Sequence, residues 1–134
     1  MSFTSVRLIT ADILPLIQFY ERITGITAIK YTEDFAEIRT ELATLAIGST
    51  RTLTFFGGDA IATPAQNSSA ILEFRVENVD TKFEEHSEFL GSLIVQPPTT
   101  MPWGNRSLLF RDPDGNLINF FSPITTEAKE KFGI

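Results

Sequence analysis

Val6-Arg7-Leu8-Ile9-Thr10-Ala11-Asp12-Ile13-Leu14-Pro15-Leu16-Ile17-Gln18-Phe19-Tyr20-Glu21-Arg22-Ile23-Thr24-Gly25 returns in altered form 66 residues later, beginning Leu72-Glu73-Phe74-Arg75-Val76-Glu77-Asn78-Val79. Val6, Leu8 and Thr10 fall on Leu72, Phe74 and Val76, a period of two that predicts a strand. Asp12 falls on Asn78, and both residue types cap helix N-termini. Ile13, Ile17, Tyr20 and Ile23 fall on Val79, Phe83, His86 and Phe89, an apolar stripe at helical spacing. Gly25 falls on Gly91, where a glycine ends each helix.

The copies also match near their ends, at a shift of 65: Leu53-Thr54-Phe55-Phe56 against Ile118-Asn119-Phe120-Phe121. Room remains for three strands after each helix. In the first half these are read as 35–40, 41–48 and 51–57, in the second as 92–96, 106–111 and 116–121. Asp112-Pro113-Asp114-Gly115-Asn116 is strong hairpin chemistry, with proline presetting φ and glycine supplying a positive one. The whole chain, 1–134, therefore reads as one α+β domain of two βαβββ modules, 5–57 and 71–122. A polar linker, 58–70, joins them, and a tail, 123–134, holds a short helix.

Composition narrows the function. The 134 residues are 43% hydrophobic and 21% charged, which predicts a globular chain. Cysteine is absent, so disulfides, thiolate metal sites and a cysteine nucleophile are excluded. The single histidine, His86, rules out a site built from several histidines of one chain. It lies on the apolar stripe and reads as a partly buried packing residue. A net charge of −6 argues against nucleic acid as a partner. No apolar run reaches the length of a membrane span, and the start has no basic, signal-like segment. The expected location is cytoplasmic. Neither a nucleophile elbow nor a phosphate-binding glycine loop is present.

The doubled βαβββ pattern resembles the vicinal-oxygen-chelate superfamily of glyoxalase I, bleomycin-resistance proteins and extradiol dioxygenases. The words that carry the resemblance are Val6 to Asp12, Phe19-Tyr20, Val76-Glu77-Asn78-Val79-Asp80 and Asp112-Pro113-Asp114-Gly115-Asn116-Leu117-Ile118. With Pro102-Trp103-Gly104 before it, the last is most similar to the bleomycin-resistance branch. The resemblance implies an open, cup-shaped sheet with helices outside, commonly in a homodimer; sheet edges that need covering point the same way. It also implies a metal held by first and last strands of each module. Carried over, those positions fall on Ser5, Thr54, Ile71 and Asn119, which argues against a metal cofactor.

Strand alternation divides the remaining residues. Val6, Leu8, Leu53, Phe55, Leu72, Phe74, Ile118 and Phe120 are expected beneath the helices. Arg7, Thr54, Phe56, Glu73, Arg75, Asn119 and Phe121 are expected to line the cup, with Phe56 and Phe121 as aromatic walls. Arg7 and Glu73 occupy equivalent places. They read either as an internal salt bridge or as polar anchors for a ligand. Trp103, in a proline-rich loop, reads either as a packing anchor or as a surface on which a ligand stacks. No residue declares itself catalytic. The expected function is metal-free binding of a small molecule, aromatic or cationic, in the cup. The rivals are a lyase, isomerase or dioxygenase with an altered metal set, and an interaction protein whose cup is filled by side chains.

Overall fold

The computed structural model describes residues 1–58 and 60–134; Asp59, within the predicted linker, lies outside the described residues. Two compact units divide it: Met1–Asn67 with Pro113–Gly115, and Ser68–Asp112 with Asn116–Ile134.

In the first unit β1 (Ser5–Thr10) leads into α1 (Ile13–Thr24), followed by β2 (Ile29–Thr32), β3 (Phe35–Arg39) and β4 (Thr44–Ser49). The sheet order is β1-β4-β3-β2, with β1 parallel to β4 and the other pairs antiparallel. The second unit repeats this with β5 (Ile71–Arg75), α2 (Val79–Leu90), β6 (Ile94–Thr100), β7 (Asn105–Arg111) and β8 (Leu117–Pro123), in the order β5-β8-β7-β6. A short helix, α3 (Thr126–Lys131), follows. Two open four-stranded mixed sheets, each with a helix packed on it, make an α+β fold of βαβββ units, as the doubled sequence predicts.

The helix boundaries follow the capping chemistry. Asp12 accepts from the Leu14 N–H at 3.0 Å and Asn78 from the Thr81 N–H at 2.9 Å, each satisfying a first-turn donor. Both helices end at a glycine of positive φ, Gly25 and Gly91. In the first unit Leu8, Ala36, Ile38, Leu45 and Ile47 form one buried sheet face against Leu16, Ile17, Tyr20 and Ile23 of α1. In the second, Leu72, Leu108, Phe110, Ile118 and Phe120 do the same, with Phe120 edge-on to Phe74 and Phe110. Each leucine, isoleucine or phenylalanine among them contributes about 1.5–3 kcal/mol by leaving water.

The first unit departs from the sequence reading after its helix. The strand predicted over 51–57 is a 3-10 helix, Thr50–Phe56, and the missed strand is β2. Ser49 causes the switch. Its hydroxyl accepts from the Arg51 N–H and donates to Asp34, while Thr52 and Thr54 return their hydroxyls to the carbonyls three residues earlier. Those local bonds outweigh the strand propensity of Thr-Leu-Thr-Phe-Phe. The strand of the first unit that corresponds to β8 is therefore β4. Ser5 pairs with Thr44 and Ile71 with Leu117, so the offset between copies grows from 66 to 73 along the unit. Phe55, expected in the core, is 88% exposed because helical geometry replaces alternation there, and Val6 stands half-open at its strand's start. β2 carries no buried residue, which removes the hydrophobic alternation by which a strand is recognised.

Candidate functional site

The face of each sheet opposite its helix carries the polar residues. On the first, alternation and register place Arg7 of β1 beside Ala46 of β4, and Ala46 beside Glu37 of β3. Phe35 lies opposite Gly48 on the same face. The stem of Arg7 passes over Gly48, where a Cβ would stand in ordinary contact, 3.6 Å, with Arg7 Cδ and tightly, 3.0 Å, against Thr52 Oγ1. The Arg7 guanidinium then reaches 4.6 Å from the Phe35 ring centre and 5.2 Å from that of Phe56, which the 3-10 helix delivers. Among the described residues Arg7 has no hydrogen-bond or carboxylate partner. Glu37 is already engaged, 3.1 Å from Arg39 Nε. As hydrogen-bond partner of Tyr31 it holds that phenol above its usual pKa. The Tyr31 ring lies 6.0 Å from Phe35 and extends the aromatic wall.

The second unit has a different centre. Glu73 pairs with Asn119 in register, and Asn119 Nδ2 donates to Glu73 Oε2 at 2.8 Å. Asn119 Oδ1 is buried without a partner. Arg75 and Phe121, one pleat further, meet Phe132 from beyond α3: Phe121 at 5.4 Å between ring centres, Arg75 at 5.6 Å from guanidinium to ring. Phe121 is buried, not the open aromatic wall expected of it.

Two further predicted residues stand elsewhere. Thr54 is not on a last strand; it sits on the 3-10 helix with its hydroxyl returned to the Arg51 carbonyl. Trp103 occupies the turn between β6 and β7, 67% exposed, so it anchors no core within its unit. It borders a recess of about 390 Å³ with Pro102, Gly104, Thr125, Thr126 and Glu127. His86 is largely buried, with Nε2 3.7 Å from Glu85, as expected of a packing residue. The reading of the sequence missed Phe35, Glu37 and Tyr31. The signal for the first two was present, since a strand over 35–40 with Ala36 and Ile38 inward must turn Phe35 and Glu37 outward.

The sequence profile of the Glyoxalase/Bleomycin resistance protein/Dioxygenase superfamily matches residues 2–120. The chain belongs to that superfamily. Solved structures agree in fold. A glyoxalase/bleomycin resistance protein/dioxygenase from Nocardioides is 22% identical, with 94% of this chain and 85% of that one covered at a TM-score of 0.76. A glyoxalase/bleomycin resistance protein/dioxygenase family enzyme from Burkholderia phytofirmans PsJN is 16% identical, with 90% and 98% covered at 0.79. TioX from Micromonospora sp. ML1 is 24% identical, with 92% and 100% covered at 0.68. No curated protein matches the chain.

Superfamily membership raises the question of a metal. The register replaces Thr54 by Ala46 as the counterpart of Asn119, and a methyl group has no lone pair to offer. With Ser5 and Ile71, the four positions hold a hydroxyl, a methyl, an alkyl chain and one amide already bonded to Glu73. Among the described residues no three His, Cys, Asp or Glu side chains gather. This donor set does not fit a divalent ion, which takes carboxylate oxygens or imidazole nitrogens.

Proposed function

We propose that this superfamily member binds a small molecule on its open sheet faces without a metal. The observation that carries the reading is the exposed arginine set over two phenyl rings, in a chain whose superfamily ligand positions lack metal donors. Arg7 and Phe56 supply an aromatic, cationic surface, and Glu73, oriented by the Asn119 amide, supplies an acceptor. Arg75 and Phe121 take part only where Phe132 moves aside, and Thr54 and Trp103 border the faces. The modules 5–57 and 71–122 act as one domain in a cytoplasmic homodimer that covers sheet edges ending in β1, β2, β5 and β6. Among the described residues no helix is long and apolar enough to cross a membrane.

The test has two parts. Protein purified without chelator is assayed for divalent metals, then melted against a library of neutral, anionic and cationic aromatic metabolites. The expected result is far less than one metal per chain and a raised melting temperature with at least one compound. One tightly held divalent ion per chain overturns the reading in favour of a metal-dependent enzyme, and a melt that no compound moves removes the binding role. Light scattering that finds a monomer at tens of micromolar removes the homodimer.

A further inference from the structure

Resting on that reading, we propose that Arg7, bracketed by Phe35 and Phe56, recognises the carboxylate of a planar aromatic acid. A guanidinium lying over a ring face spends none of its five N–H donors on the ring and can present them to an acceptor at its edge. Arg7 lies over two rings, at 4.6 and 5.2 Å from their centres, and among the described residues nothing accepts from its donors. The group that satisfies such a fork is a carboxylate lying coplanar with it. Its substituent continues in the same plane, where Phe35 and the neighbouring Tyr31 offer an aromatic surface.

The nearest carboxylate on this face does not compete. Glu37 lies two strands away, about 10 Å by strand spacing, and Arg39 and Tyr31 already engage it. At the level of Arg7 and Phe35 this face of β4 carries Ala46 and Gly48, small and buried, so no long β4 side chain stands between them. The net charge of −6 repels an anion at long range. Screening over about 8 Å at physiological salt reduces that repulsion, whereas a bidentate contact acts at hydrogen-bond distance. The second unit cannot do the same, because Glu73 stands where Arg7 stands in the first.

The probes are 2-naphthoate, 2-naphthamide and 2-naphthamidine, equal in shape and differing in charge. The readouts are calorimetry and backbone amide shifts. The expected result is that naphthoate binds about tenfold or more tighter than the amide, as a charged hydrogen bond implies, with shifts concentrated on β1, β3 and β4. Arg7→Met, folded by circular dichroism, then binds naphthoate and naphthamide alike, and Arg7→Lys keeps the charge but loses most of the preference. Tighter binding of naphthamide or naphthamidine on that face overturns the carboxylate assignment and leaves the small-molecule reading standing. An Arg7→Met protein that keeps the naphthoate preference overturns the role of Arg7. If none of the three binds, this inference fails, and the wider metabolite library decides separately whether the binding reading fails with it.

Discussion

The two units agree on the side that faces the helix and disagree on the side that does not. Ile47 and Phe120 take the same register place, both buried, and Leu45 and Ile118 do likewise. One pleat over, Arg7 answers Glu73 and Ala46 answers Asn119. Each unit even sends an aromatic ring from beyond its last strand onto an arginine, but by different routes. Phe56 arrives from a 3-10 helix onto Arg7, and Phe132 arrives past α3 onto Arg75, a pleat away from the equivalent position. Packing against a helix admits only apolar side chains of suitable volume, whereas an open face tolerates any polar group that water or a ligand can satisfy. The repeat thus preserves a scaffold and leaves the chemistry free to diverge.

The sharpest way to break this comparison is in the shared core. Ile47→Ala and Phe120→Ala should each destabilise the chain by about 2–5 kcal/mol, measured by denaturant unfolding; a loss confined to one unit would show that the buried faces are not equivalent. The next effect exists in one unit only. Asp112, 1% exposed, accepts from the backbone N–H and the side-chain amide of Asn116 at 2.9 and 2.7 Å. Asp112→Ala leaves those donors unmet, at a cost of about 1–3 kcal/mol.

Acid should act on both units through separate carboxylates. Asp34 is held below the ordinary carboxylate pKa by hydrogen bonds from Ser49 and Arg51, and Asp80 by hydrogen bonds from Arg106. A pKa lowered by folding gives stability that is fully present above the unfolded value, about 3.9, and lost as pH falls through the folded value. Melting temperatures should therefore drop below about pH 4. Asp34→Asn should flatten part of that drop and Asp80→Asn another part. If the double variant keeps the full acid sensitivity, these pairs are not its source. The smallest effect belongs to Trp103: being exposed, Trp103→Ala should cost under about 0.5 kcal/mol, as surface substitutions do. A loss of several kcal/mol in a thermal melt would show that the side chain is buried in the assembly.

The scaffold could be read from the sequence because its signals are local and repeated. Asp12 and Asn78 cap as predicted, and Asp112 to Asn116 turns as predicted. The register of the first unit could not, because Leu53 to Phe56 looks like a strand until Ser49 and Asp34 are brought together across 15 residues. That error carried the supposed counterpart of Asn119 from Ala46 to Thr54. Arg7 was recognised as a lining residue, but its bracket depends on Phe35 and on the 3-10 helix. No periodicity announces such a meeting of three separate segments.

Gly104 follows Trp103 in the turn, with φ of +91° and its carbonyl accepting from the Ile124 and Thr125 N–H groups. A Cβ at that position would collide with the Thr125 side chain, which caps α3. Two neighbours in sequence therefore face opposite mutational fates. Nearly any residue is admissible at 103, whereas at 104 both the backbone angle and the collision forbid everything but glycine. In a saturation library sorted for folded protein, position 103 should drift freely while position 104 stays frozen.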